Sequence, residues 1–214
     1  MNRQEIKSLA KSKIKGNIWN IIWPLLVIGV VESIITGLFG GSIKIDFNNL
    51  ENVSIPTSYY YCTVIISILF AIVNAAYIKY IINFVRTGKF ETSDILNTLK
   101  AKWLNILIAT ILVSIIVGLC SILFVIPGII MGIAYTFVTY LVVDTDVSGS
   151  DSLKVGREMM KGYKWDYFVF VLSFIGWFLL VPFTFGILLI WLVPYFNVSE
   201  AIYYNKLKEL KKID

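Results

Sequence analysis

All but two of the 19 Lys and Arg residues fall in four short stretches, 1–17, 86–102, 144–166 and 204–214, and long apolar runs separate them. The exceptions are Lys44 and Lys79. A chain threaded repeatedly through a bilayer carries this signature when positive charge holds every second loop in the cytoplasm. The pattern constrains threading more than chemistry.

Composition agrees. The 214 residues are 57% hydrophobic and 15% charged, with a mean hydropathy of +0.78. One soluble core of this size cannot hide so much apolar surface, so the excess is expected to face lipid. The net charge of +5 sits beside the apolar runs, where it meets anionic lipid headgroups. No basic patch lies elsewhere, so nucleic acid is not an expected partner. A cleaved leader is not expected either. The basic N-terminal region is long, Glu32 interrupts the apolar run, and no small-x-small site follows.

Six apolar runs, near 18–40, 60–85, 103–126, 129–143, 166–183 and 186–204, compare with the roughly 20 helical residues that cross the hydrocarbon core. The reading is an all-α polytopic membrane protein: six transmembrane helices as three hairpins, in a single domain over 1–214. Ile126-Pro127-Gly128 marks a tight turn between runs three and four, and 182–186 joins the last two. Only 41–59 is a sizeable outer loop. Both termini are expected in the cytoplasm.

The inner segments read as amphipathic helices lying on the cytoplasmic face. Residues 3–14 align Ile6, Leu9, Ala10 and Ile14. Residues 93–103 align Ile95, Leu96, Leu99 and Trp103, and 151–161 place Leu153, Met159 and Met160 before Gly162. An ordinary solvated linker is the alternative for each. Lys15-Gly16-Asn17-Ile18-Trp19 and Lys161-Gly162-Tyr163-Lys164-Trp165 share a K-G-x-x-W pattern, and Lys102-Trp103 is a looser version. Lys reaches phosphates while Trp sits at headgroup level. Lys15, Trp19, Lys102, Trp103, Lys164 and Trp165 are therefore candidate lipid-interface anchors. Their spacing suggests three repeats, 1–88, 89–146 and 147–214, although the same anchoring need arises without shared ancestry.

Charged groups inside spans are suspects for function. Glu32 stands deep in the first span, and with Asn74 it is a candidate for a polar pathway. Lys79 is expected to extend toward the inner surface, away from Glu32. Asn74 and Asn105 also suit hydrogen bonds between helices. Five acids in 144–166 (Asp144, Asp146, Asp151, Glu158, Asp166) beside four bases read as a solvated, self-compensating loop. No phosphate-cradling loop, zinc-protease helix or nucleophile elbow occurs, and the chain has no His, so neither enzyme chemistry nor a metal or cofactor is expected. Cys62 and Cys120 read as small apolar residues.

Ile126-Pro127-Gly128-Ile129-Ile130, Tyr135, Tyr140, Asp144, the run Arg157 to Trp165, Leu172 to Trp177 and Trp191 to Tyr195 resemble a bacterial integral membrane family, domain-of-unknown-function family 975. The resemblance spans nearly the whole chain and implies a multi-pass inner-membrane protein with no assigned activity. A more distant similarity is to the membrane domain attached to some glycerophosphodiester phosphodiesterases, whose catalytic domain this sequence does not contain. The function expected is a non-enzymatic scaffold or accessory subunit that contacts anionic inner-leaflet lipids and a membrane-protein partner. A small transporter or permease, or a protein giving immunity to a membrane-active peptide, are the alternatives. Oligomeric state is not readable from these residues.

Overall fold

The computed structural model describes residues 1–39 and 57–213, and among them every regular element is helical. The outer loop expected over 41–59 lies almost wholly outside the described residues. Helix α1 spans Arg3–Ile14. Asn2 caps it by accepting the Glu5 amide at 3.3 Å, and Ile6, Ala10 and Ile14 form its buried stripe. This four-residue spacing is the helical period the sequence displays. Gly16, at φ +82°, stops it in a conformation that side-chain-bearing residues rarely adopt.

Helix α2 (Ile18–Phe39) follows, then α3 (Thr57–Thr87) and α4 (Ser93–Leu123). Residues 93–103 are therefore no separate interfacial helix, contrary to the sequence reading. No Gly or Pro interrupts Ser93 to Trp103, so the amphipathic turn continues directly into the apolar span. The chain reverses at Phe124, which is extended, and enters α5 (Val125–Tyr135) with Pro127 and Gly128 in its first turns. A Cβ on Gly128 would lie 2.9 Å from the Ser121 Cα, so this glycine lets the hairpin arms meet. Gly132 faces open space and has no such role.

The fourth run is divided. A break at Thr136–Phe137 separates α5 from α6 (Val138–Asp144). Helix α7 (Asp151–Met159) packs on α6 where Gly156 faces Val138, leaving no room for a Cβ. Helix α8 spans Lys164–Leu179, a single tight turn occupies Pro182–Thr184, and α9 runs Leu189–Lys211. Pro194 sits inside α9 without ending it.

Five segments are long and apolar enough to cross a membrane: Ile18–Leu38, Tyr59–Thr87, Ser93–Leu123, Val125–Asp144 and Lys164–Thr184. Large apolar side chains line their outer surfaces, from Trp19 to Leu38 on α2 and from Leu119 to Ile126 at the α4–α5 turn. A water-soluble monomer does not carry an apolar belt of this extent. The sixth run is different. In α9, Leu192, Tyr195, Val198, Ala201, Ile202, Tyr203, Tyr204 and Leu207 are all buried. Surrounded by protein, it tolerates Asn197, Ser199, Glu200 and Asn205, which lower its apolarity below that of a lipid-facing helix.

The best-packed part of the molecule lies around α6 and α9. The Phe137 ring is wholly buried and contacts Tyr140, Tyr167, Tyr203 and Tyr204 at centroid separations of 5.3, 5.2, 5.9 and 5.7 Å. The Tyr140 and Tyr167 contacts are edge-to-face, the arrangement that suits the ring quadrupole. Helix α1 closes this region from one side, with Glu5 meeting Lys206 at 2.6 Å and the Met1 amine meeting Asp166 at 3.4 Å.

Candidate functional site

Two acids organise the α3–α6–α9 junction, Asp144 with its side chain shielded and Glu200 half-buried, and they are treated in opposite ways. The Asp144 side chain is fully shielded from solvent, and Lys79, Arg86 and Lys208 reach it at 3.1, 2.6 and 3.2 Å. Arg86 binds as a fork, Nη1 donating to Oδ1 and Nη2 to Oδ2. The Tyr204 hydroxyl adds a fourth donor to Oδ2 at 3.0 Å. Arg86 also donates to Asn205. A planar guanidinium is suited to this bidentate grip. The cluster fastens the C-terminal ends of α3 and α6 to α9. Asp144 is thus no part of a solvated loop, and Lys79 spends its charge on it. Asp166, likewise, pairs with Met1, Arg3 and Tyr203, whereas Asp146 remains exposed.

Glu200 receives no cation. Its Oε1 accepts from the Tyr167 hydroxyl at 2.5 Å and its Oε2 from the Tyr140 hydroxyl at 3.0 Å. No Lys or Arg among the described residues pairs with it. Instead it borders a cavity of about 340 Å³ that Asn74, Tyr77, Tyr140 and Asn197 also line. Asn74 donates to the Phe70 carbonyl of its own helix at 2.9 Å, so its amide does not bridge helices as anticipated. Asn105 does make an external bond, accepting from the Gly149 amide at 3.4 Å. Glu32 is half-buried on α2 and does not line this cavity. It stands seven residues beyond the lining Leu25, about 10 Å along the helix. Of the two residues offered for a polar pathway, only Asn74 reaches this cavity.

The anchors separate in the same way. Trp19, Trp103 and Trp165 project outward, 67, 52 and 74% exposed. Lys15 is exposed and Lys164 half-exposed. Lys102 instead donates to the Thr145 carbonyl at 2.6 Å and approaches Asp146 at 3.4 Å, bracing α4 against the end of α6. A basic recess of about 440 Å³ lies between α7 and α8, lined by Lys154, Arg157, Lys161 and Lys164 with one acid, Glu158. Lys7 of α1 donates to the Ser173 carbonyl at 3.0 Å and lies 4.2 Å from the Phe174 ring centroid. Burial, then repulsion from Lys11 and Arg3, lowers its ammonium below the ordinary lysine range.

Sequence reasoning passed over Glu200 and placed Asp144 in a loop. The one available signal was the resemblance, whose residues include Tyr140 and Asp144. These features define an all-helical protein with five segments long and apolar enough to cross a membrane. The chain matches the family described as protein of unknown function (DUF975) over residues 1–131 and 121–211, and it belongs to that family. No curated protein and no solved structure matches it.

Proposed function

We propose that this chain is a non-enzymatic scaffold or accessory subunit of the bacterial cytoplasmic membrane, spanning it six times with both termini inside. The observation that carries this reading is the basic, tryptophan-rimmed end of the helix bundle. Trp19 and Trp165 point outward beside Lys15 and Lys164, and the Lys154–Arg157–Lys161–Lys164 recess opens at the same corner as Trp165. Indole rings at headgroup level and cations beneath anionic phosphates suit an inner-leaflet surface. Helix α9 is the sixth span in this reading, its polar residues turned into the protein. Helices α1 and α7 are the interfacial elements, and each is followed by a helical hairpin.

Release of the protein with its native membrane in polymer discs, followed by mass spectrometry of lipids and proteins, tests the role. Wild type is expected to retain anionic lipid above its bulk proportion, together with a stoichiometric membrane-protein partner. Combined Lys15→Ala, Trp19→Ala, Lys164→Ala and Trp165→Ala replacement should remove most of that enrichment and the partner. Lys102→Ala should instead lower stability, because Lys102 holds Thr145. Equal lipid and partner recovery from the fourfold variant would end this reading. A small permease is the second reading, favoured by the cavity between Asn74 and Glu200.

A further inference from the structure

The cavity at Glu200 is lined by none of the lipid-anchor residues. Burying a carboxylate is costly unless charge or hydrogen bonds compensate it. This chain shows the full solution at Asp144, with three cations converging on one acid. Among the described residues Glu200 receives two neutral hydroxyls, although a carboxylate has about four acceptor positions. No Lys or Arg among the described residues lines the cavity of about 340 Å³ beside it, a volume within the range of small-molecule pockets.

The walls of that cavity favour one charge sign. Asn74 donates one Nδ2 hydrogen to Phe70, and its carbonyl oxygen is available as an acceptor. The Tyr77 hydroxyl is spent on the Ile21 carbonyl at 3.0 Å, so Tyr77 offers its ring. Tyr140 spends its hydroxyl on Glu200 and likewise offers a ring. Acceptor oxygens, a carboxylate and aromatic faces together recognise an ammonium group. A multivalent metal is not the better fit, because no group of three or more His, Cys, Asp or Glu forms among the described residues. A bare monovalent ion leaves most of the volume and the aromatic walls unused.

We propose that this cavity binds a small organic ammonium group, with Glu200 as its counter-ion and Asn74, Asn197, Tyr77 and Tyr140 as its walls. The ammonium belongs either to a free amine or to the ethanolamine headgroup of a lipid, and the chemistry of recognition is shared.

The test uses the full chain in lipid discs of phosphatidylglycerol alone or mixed with phosphatidylethanolamine. Ethylamine and choline are titrated, with thermal unfolding and calorimetry as readouts. Saturable stabilisation of wild type in ethanolamine-free discs identifies a free amine. Retention of phosphatidylethanolamine through delipidation, without response to free amines, identifies the headgroup. In either case Glu200→Gln, which keeps an acceptor for a tyrosine hydroxyl, should weaken binding at least about tenfold, as loss of a charged hydrogen-bonding partner does. Asn197→Ala leaves the Tyr140 and Tyr167 bonds to Glu200 intact and should also weaken it, which guards against a Glu200 variant that misfolds. Amine and headgroup affinities that neither substitution changes, or no saturable binding of either, would overturn the proposal. Both outcomes are independent of anionic lipid recovery.

Discussion

Replacing Asp144 with Ala is expected to produce a large loss of stability among single substitutions in this chain. The carboxylate is shielded from solvent and is shared by Lys79, Arg86, Lys208 and Tyr204. Its removal strands three cations beside one another at the junction of α3, α6 and α9. Breaking a buried ionic cluster by deleting one partner costs about 3–5 kcal/mol, because the remaining charges are left uncompensated. For a domain of this size that corresponds to a fall of roughly 10 °C in Tm. Asp144→Asn retains an acceptor but no charge, and should fall between wild type and Ala. Asp146→Ala, two residues on and exposed, should leave Tm unchanged. Thermal unfolding in discs checks the order Asp146→Ala, Asp144→Asn, Asp144→Ala; equal effects at 144 and 146 would remove the cluster from the account.

Phe137→Ala is expected to cost a comparable amount, about 3–5 kcal/mol. The ring is wholly buried where four tyrosines meet. Deleting it opens a cavity between α6, α8 and α9 that those neighbours cannot readily close, since all four are tied by their hydroxyls to Glu200, Asp166 or Asp144. Phe137→Leu keeps much of the volume and should cost less than half as much. Phe185→Ala, at a position 96% exposed, deletes the same side chain from a turn where it packs on nothing. Its effect should be small, since removing an exposed ring leaves no cavity in the packed interior. Chemical or thermal unfolding of the three variants gives the comparison, and a Phe185 variant as unstable as Phe137→Ala would contradict it.

What the sequence displayed depended on distance along the chain. The α1 stripe of Ile6, Ala10 and Ile14 was legible because neighbours on a helix face recur every three or four residues. The apolar runs were legible because lipid demands apolarity on every exposed side. Asp144 was misplaced because its partners lie 58 to 65 residues away, and a loop census counts only neighbours in sequence. Glu200 was hidden for a related reason. It lies in a polar stretch of α9, and nothing local marks Tyr140 and Tyr167 as its donors, 60 and 33 residues away. Glu32 drew attention through depth alone, yet the polar cavity is built around Asn74 and Glu200. Lys102 fitted the anchor pattern beside Trp103, but the fold turns it toward Thr145.

In the proposed topology the chain passes six times through the membrane, with the basic end of the bundle in the cytoplasm. Five segments meet the length and apolarity of a span, and an odd number would place the termini on opposite sides. The direct measurement is accessibility of single cysteines to a membrane-impermeant reagent in intact cells and in inverted vesicles, after Cys62 and Cys120 are replaced. Cysteines at Ser8, Ser148 and Ile213 are expected to react only from the cytoplasmic side, and those at Ile126 and Phe185 only from outside. Labelling of Ser8 and Ile213 from opposite sides would contradict the proposed topology, and α9 would then be a packed helix that stays on one side of the bilayer.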